Sequence, residues 1–214
     1  MLSRTADNLY WLARYVERAE YLARILEATH RVTTLPIAYV GETNEWESTV
    51  ATAGCSAGFF AVHSEANEET VTDFLAFSPD NPSSIRNCIE VARHNARSVR
   101  TALTMEMWEA INETWLELKR YGNKRSSRDE IARFLQWVQN ASLRFDGSAY
   151  RTMLRNDAYW FSRVGLFVER ADNTARLLDV KYHVLLPEKE VVGGSLDYFQ
   201  WSADRKSTRL NSSH

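Results

Sequence analysis

Hydrophobic residues recur at spacings of three and four along most of the chain, which is the period of an amphipathic α-helix. In the first such run, Ser3 is predicted to cap a helix that continues to about residue 33. The last run predicts a long helix over about residues 156–185. Apolar and polar residues do not alternate with the period of two that a strand requires. The pattern predicts an all-α protein, most simply an antiparallel helical bundle with two long helices.

Turn signals divide the stretch between the two long helices into shorter ones. Asp80 or Asn81 is predicted to cap one of these helices, with Pro82 in its first turn. Other helices are predicted over about residues 46–53, 57–64, 67–77 and 105–118, with Gly54 and Gly58 as breaks between the first two.

A capping box predicts the start of the helix that precedes the last one. Ser127 stands three residues before Glu130, and each side chain can bond the other's backbone N–H. The helix is predicted to end near residue 143, where Asp146 and Gly147 suggest a turn.

The two long helices carry nearly the same phrase, V-E-R-A-E-Y-L-A-R at residues 16–24 and V-E-R-A-D-N-T-A-R at residues 168–176. A helical projection places Arg18 and Arg170 at the edge of an apolar surface, and neither has an acidic residue three or four positions away. An arginine in such a setting needs an anion or other acceptors, because an unpaired buried charge is unfavourable. The residues that require a partner are therefore Glu17, Arg18, Glu169 and Arg170.

Three interpretations of these four residues remain open. In the first, Arg18 pairs with Glu169 and Glu17 pairs with Arg170, or in a looser version backbone carbonyls serve as the acceptors. These contacts fix the register of the two helices. In the second, the two helices share a site for an anion or a carboxylate, bound by the arginine forks. In the third, the glutamates take part in catalysis, although no residue is assigned a catalytic role.

The repeated phrase also contains two acid–base pairs four residues apart, Glu20 with Arg24 and Asp172 with Arg176. Pairs in this order stabilise an exposed helix by a few tenths of a kcal/mol. Both are interpreted as ordinary surface pairs. Arg14 is interpreted as a partner of Glu17, which lies one turn further along the same helix.

Composition and charge narrow the class of protein. The chain of 214 residues has a formal net charge of −2, which gives no general reason to expect nucleic acid or an anionic membrane as a partner. Cys55 and Cys88 do not have the spacing of metal ligands. The N-terminus lacks the apolar core of a secretion signal, so a cytoplasmic protein is expected.

Three segments of the chain together resemble the bacterial Alpha-E family, a helical domain of unknown function named for its E-R motif. They are M-L-S-R-T-A-D-N-L-Y-W-L-A-R-Y-V-E-R-A-E at residues 1–20, N-P-S-S-I-R-N-C-I-E-V-A-R-H-N-A-R-S-V-R at residues 81–100 and W-F-S-R-V-G-L-F-V-E-R-A-D-N-T-A-R at residues 160–176. The resemblance covers about residues 1–187, and it places the E-R motif on Glu17, Arg18, Glu169 and Arg170.

The resemblance also implies a setting for the protein. Members of this family are encoded beside, or fused to, a circularly permuted ATP-grasp-like protein, often near transglutaminase-like proteins. An accessory role in an amide- or peptide-bond-forming system follows, in which the protein binds the ligase or its peptide or amino-acid substrate. An enzyme or anion-binding protein that uses the paired Glu and Arg residues, and a purely structural scaffold, are the alternatives. The sequence leaves the oligomeric state open.

A second group of basic residues is a further anion-binding candidate. Arg93, Arg97 and Arg100 lie on one face of a predicted helix. The alternative is a solvated face, or pairing of these arginines with Glu90 and Glu106.

No cofactor or metal is expected. Glu27 and His30 have the E-x-x-H spacing of di-metal bundles, but the pattern is not repeated in the second long helix. The chain has neither a P-loop nor a G-x-G-x-x-G motif. Four tryptophans at helical spacing are predicted to lie in the core: Trp11, Trp108, Trp115 and Trp160. Trp46 and Trp201 lie near predicted loops and are candidates for a partner surface, although burial in the core is favoured for them too.

The chain is predicted to form a single domain over residues 1–203, incomplete at its C-terminus. Residues 204–214 are polar and back-translate to a string that resembles a common short-read sequencing adapter. We therefore expect this tail to be an artefact of library preparation that is disordered and takes no part in the fold.

Overall fold

A computed structural model describes residues 1–34, 44–121 and 127–180. Within these ranges the protein is built from α-helices without strands, which confirms the predicted class. The α-helices are α1 (Ser3–Thr33), α2 (Glu45–Thr52), α3 (Ser56–Phe60), α4 (Glu68–Ala76), α5 (Ile85–Ser98), α6 (Met105–Leu118), α7 (Arg128–Thr152) and α8 (Asp157–Val180).

Helix α1 lies at the centre of the fold, and α5, α7 and α8 pack along it. Its buried residues supply apolar side chains to two hydrophobic clusters. One cluster joins α1 to α4, α5 and the first half of α7, and the other joins α1 to α5, α6 and the second half of α7. The prediction that Ser3 caps α1 is wrong, because Leu2 holds the cap position and makes no side-chain cap hydrogen bond.

The short helices begin where polar side chains satisfy free backbone N–H groups. Asn44 accepts hydrogen bonds from the backbone N–H groups of two residues in α2, and Asn67 forms a capping box with Thr70 at the start of α4. Gly54 has a positive φ of 69°, as expected for a break after α2. Gly58, in contrast, lies inside α3, so it does not separate two helices.

The start of α5 differs from the prediction. Its cap is Ser84, whose hydroxyl accepts a hydrogen bond from the N–H of Asn87 at 3.3 Å, so neither Asp80 nor Asn81 caps the helix. Pro82 lies in the preceding loop, not in the first turn. The buried Asn81 instead holds this loop, because its amide donates to the carbonyl of Phe74.

Helix α7 begins at the predicted capping box of Ser127 and Glu130. The predicted turn at residues 146–147 is wrong, since the helix continues to Thr152. Phe145 and Ala149 remain on the buried face of α7, and their burial outweighs the modest helix cost of the intervening glycine.

The two motif-bearing helices run in the same direction. Tyr10 lies against Gly165, and further along both helices the hydroxyl of Tyr21 donates a hydrogen bond to the carbonyl of Asn173. Residue numbers therefore increase in the same direction along α1 and α8. Helix α7 runs opposite to α1. A Cβ atom at Gly165 would lie 2.2 Å from the Tyr10 carbonyl oxygen, which shows how closely the two backbones approach.

Candidate functional site

The repeated phrase forms a reciprocal pair of ion pairs between α1 and α8. Arg18 donates from Nε to Oε1 of Glu169 at 2.7 Å and from Nη2 to Oε2 at 3.0 Å. Arg170 donates from Nε and Nη2 to the two oxygens of Glu17, at 2.9 Å and 2.8 Å. Each arginine therefore binds one carboxylate with two hydrogen bonds, as in the first of the three interpretations.

Parallel packing explains why one phrase can pair with its own copy. Glu17 matches Glu169 and Arg18 matches Arg170 in the two copies. When two helices lie side by side in the same direction, a local two-fold axis parallel to them relates these positions. The two ion pairs are therefore the same contact made twice.

The carboxylates of both pairs are withdrawn from solvent. The side chain of Glu169 is 1% exposed and that of Glu17 is 9% exposed. Burial lowers the pKa of Arg18, but the hydrogen bonds to Glu169 together with nearby charges, chiefly that of Glu169, outweigh this effect, and the pKa is raised. The hydrogen bonds that Arg170 donates to Glu17 raise the pKa of Arg170, although burial lowers it. Both arginines are held in the charged form.

A third arginine breaks the symmetry of the two pairs. Arg14 donates from Nε to Oε2 of Glu169 at 2.6 Å and from Nη1 to the Tyr10 hydroxyl at 3.0 Å. Leu166 occupies the corresponding place on α8. Sequence reasoning assigned Arg14 to Glu17, one turn away, because spacing along one helix does not reveal which carboxylate approaches from another.

Glu20 is not a surface residue, which corrects its interpretation as half of an ordinary exposed pair. It is 1% exposed, and it accepts hydrogen bonds from the Ser142 hydroxyl at 2.5 Å and from Nε of Arg24 at 2.8 Å. Glu20 therefore extends the polar contacts of α1 to α7. The second pair agrees with its interpretation, since Asp172 and Arg176 lie 3.1 Å apart with side chains 40% and 45% exposed.

The second basic group lies on α5 and in the turn that follows, where two of its three arginines contact tryptophans of α6. The guanidinium carbon of Arg93 lies 3.9 Å from the ring centroid of Trp115, and that of Arg100 lies 4.7 Å from the ring centroid of Trp108. Nε of Arg93 also donates to Asn112 at 2.9 Å, and Arg97 is exposed. Glu90 and Glu106 form no ion pair with these arginines.

The burial of the tryptophans differs from the prediction. Trp160 is 56% exposed, so its assignment to the core is wrong. Trp11, Trp108 and Trp115 are half-buried, and each has a cationic side chain near its ring. Trp46 is buried, and Trp201 lies outside the described residues.

Glu27 and His30 have separate partners. Glu27 accepts hydrogen bonds from Arg31 at 2.8 Å and from Gln139 at 2.9 Å. Nδ1 of His30 lies 3.5 Å from a carboxylate oxygen of Glu68. Within residues 1–34, 44–121 and 127–180, no group of three His, Cys, Asp or Glu side chains is placed to hold a metal ion.

Neither cysteine has the environment of a reactive thiol. Burial raises the pKa of Cys88 to about 12, although the charge of Arg18 lowers it. Burial also raises the pKa of Cys55. Both thiols therefore stay protonated at neutral pH.

A cavity of about 570 Å³ lies away from these pairs, where the N-terminal ends of α1, α6 and α8 come together. Its lining includes Met1, Thr104, Thr152 and Asp157. The N-terminal ammonium group lies 3.7 Å from a carboxylate oxygen of Asp157. None of the residues singled out by the sequence lines this cavity.

The fold and the paired motif define an all-α protein in which two E-R dipeptides pair across parallel helices. The chain belongs to the Alpha-E family, whose model matches residues 1–207 and is described as a predicted alpha-helical domain with a conserved ER motif. No curated protein and no solved structure matches the chain. None of the helices in the described part of the chain is both long and apolar enough to cross a membrane.

Proposed function

We propose that this protein is an accessory binding subunit, not an enzyme, and that it docks an ATP-grasp-like ligase through the outer face of α8. The observation that carries this proposal is an apolar surface on the side of α8 that faces away from α1. We call it the α8 stripe, and its members, 37–56% exposed, are Trp160, Val164, Phe167, Val168 and Leu178.

The α8 stripe follows helical spacing along almost the whole of α8. Successive members are four, three, one and ten residues apart, and at about 100° per residue these spacings bring them to one side of the helix. The opposite side of α8 faces α1 and is buried, with apolar residues such as Leu166 and Leu177 beside the polar Glu169. Because α8 already has one buried side, large apolar residues on its exposed side suit a partner surface. Exposed aromatic residues such as Trp160 are frequent energetic anchors in protein interfaces.

The four E-R residues support a binding role better than a catalytic one. Glu17 and Glu169 each accept both hydrogen bonds of an arginine fork, and neither carboxylate is open to solvent. A general base must reach the proton that it removes. These carboxylates stabilise the packing of α8 on α1, and in this way they position the α8 stripe.

The identity of the partner rests on the family resemblance. It implies a circularly permuted ATP-grasp-like protein as the partner in the bacterial cytoplasm, with a transglutaminase-like protein encoded nearby. In this arrangement the ligase forms the amide or peptide bond, and the present protein holds the ligase or presents its peptide or amino-acid substrate.

Co-purification of this protein with the ATP-grasp-like protein encoded beside it tests the proposal. We expect a complex that survives gel filtration, and we expect Trp160→Ser combined with Phe167→Ser to abolish it. A matched control is Leu116→Ser combined with Leu143→Ser, because both leucines are 49% exposed and lie on other helices. Absence of a complex, or equal loss in the two double variants, would contradict the proposal.

One observation favours a second candidate, a carboxylate- or anion-binding site beside Glu169. Arg14 and Arg18 share this single carboxylate, which leaves one positive charge in excess on that side of the motif. Under this alternative, Arg14→Gln removes the excess charge and weakens binding of the anion. If the site is also catalytic, Glu17→Gln and Glu169→Gln abolish turnover and leave the thermal midpoint nearly unchanged.

A further inference from the structure

We propose that the outer face of α5 and α6 is a binding surface for an acidic segment of a partner protein. The surface consists of four cations, Arg93, Arg97, Arg100 and Lys119, which we call the cationic row. It lies on different helices from the α8 stripe and does not depend on the function proposed above.

Tryptophans order three of the four cations. The guanidinium carbon of Arg93 lies 3.9 Å from the ring centroid of Trp115, and Nζ of Lys119 lies 3.6 Å from the same centroid. The guanidinium carbons of Arg100 and Arg93 lie 4.7 Å and 5.9 Å from the ring centroid of Trp108. The side chains therefore alternate between cation and aromatic ring from Arg100 to Lys119. Because contact with a ring restricts a long side chain before any partner arrives, less conformational entropy is lost on binding.

The charge of the cationic row is not neutralised within the described parts of the chain. Elsewhere arginines bind carboxylates, as Arg144 binds Glu113 and Arg163 binds Asp146. No such ion pair involves a member of the cationic row. A local concentration of unpaired charge attracts an anionic partner even though the chain as a whole has a formal net charge of −2.

The free atoms of the cationic row favour carboxylates over nucleobases. Cations already occupy the rings of Trp108 and Trp115, so these rings are not open for stacking with a base. Nε of Arg93 donates to Asn112, whereas no acceptor within the described ranges is bound to its two Nη groups. A guanidinium with free N–H groups binds carboxylates well, and several cations in a row favour a partner that carries several carboxylates.

Fluorescence anisotropy of a labelled short polyglutamate peptide, titrated with the full chain, tests this proposal. We expect saturable binding that weakens as salt is added, because the contacts are charged and exposed. Arg97→Gln combined with Arg100→Gln should weaken binding about tenfold, which corresponds to about 1.4 kcal/mol. Both residues are exposed, so the fold should be retained.

The matched control is Arg4→Gln combined with Arg151→Gln, which removes the same charge from two exposed positions on α1 and α7. We expect this variant to bind the peptide like the unmodified protein. Equal weakening in the two double variants would show a general charge effect and overturn the proposal. Equal binding of a polyglutamine peptide, or tight binding of pyrophosphate without binding of polyglutamate, would also overturn it.

Discussion

Glu169 accepts hydrogen bonds from Arg14 and Arg18 while it is almost fully withdrawn from solvent. Glu169→Gln removes the carboxylate and leaves both guanidinium groups without their counterion. We expect the free energy of unfolding to fall by about 3 kcal/mol, because removal of one partner from a buried ion pair costs about 3–5 kcal/mol. Urea denaturation followed by circular dichroism measures this change.

Asp172→Asn is the matched control, because it makes the same chemical change on the same helix at an exposed pair with Arg176. An exposed pair contributes about 0–1 kcal/mol, so this variant should be close to the unmodified protein. If Glu169→Gln changes stability no more than Asp172→Asn does, the ion pairs do not stabilise the helix packing, and the second candidate function gains support.

The lowered pKa of His30 leads us to expect a loss of stability in mild acid. Its pKa is lowered from 6.5 mainly by burial, although Glu68 raises it, and no partner in the described residues binds its buried Nε2 atom. The unfolded chain therefore binds more protons than the folded one just below pH 6.5, and the free energy of unfolding falls as the pH decreases through this range. His30→Asn should reduce this dependence, as measured by urea denaturation at about pH 7.5 and about pH 5.5.

The exposed His94 provides the control for this prediction. His94→Asn should keep the pH dependence of the unmodified protein. If His30→Asn also keeps it in full, His30 is not the group responsible.

Contacts between side chains of different helices could be predicted from the sequence only where it repeats itself. Pairing of Arg18 with Glu169 follows from two identical E-R dipeptides, each in an apolar setting. The contact of Arg14 with Glu169 and that of Glu20 with Ser142 depend on how α1, α7 and α8 are rotated about their axes. Spacing within one helix contains no information about that rotation.

At the scale of elements, the packing of α1 on α8 depends on a residue without a side chain. Gly165→Ala places a Cβ atom 2.2 Å from the backbone oxygen of Tyr10, so the two helices must separate. We expect a loss of at least about 2 kcal/mol in the free energy of unfolding, because overpacking against backbone cannot be relieved by a change of rotamer. Thermal and urea denaturation measure the loss.

Gly147→Ala in α7 is the matched control with the opposite expected sign. A Cβ atom at Gly147 meets nothing within 4 Å, and the residue lies inside a helix. Alanine should therefore stabilise the protein by about 0.5–1 kcal/mol. Similar changes in stability in the two variants would contradict the prediction, because they would show that close approach at Gly165 does not determine the effect.

The boundaries of elements could be predicted where a side chain caps a helix and less well where burial competes with a local signal. Asn67 and Ser127 were predicted to begin helices, and they do. Asp146 and Gly147 form a local turn signal, but the apolar face of α7 continues through them. Whether α7 ends or continues there depends on the side chains of other helices that bury this face, and those helices are distant in the sequence.

At the scale of the whole molecule, the two hydrophobic clusters are connected through shared helices. Residues of α1, α5 and α7 belong to both clusters. We therefore expect one cooperative unfolding transition, with the same midpoint by far-ultraviolet circular dichroism and by tryptophan fluorescence. Two separated transitions would contradict this expectation and would show that the clusters unfold independently.

The class of the fold could be predicted from periodicity, but the direction of the two motif-bearing helices could not. The sequence predicts an antiparallel bundle; α7 does run against α1, but the motif-bearing α8 runs parallel to α1. Whether α8 lies parallel to α1 depends on the intervening helices, whose packing the repeated phrase does not specify. Exposure of Trp160 was missed for a related reason, because apolar spacing alone cannot tell a face that packs on α1 from the face opposite to it.

The ion pairs between α1 and α8 join residues 151–155 positions apart in the chain. During synthesis, α1 leaves the ribosome long before α8 does. Until α8 emerges, Arg14, Arg18 and Glu17 lack the partners of these ion pairs. The central helix therefore stays incompletely packed for most of translation, and folding is completed only when nearly all of the described chain has been made.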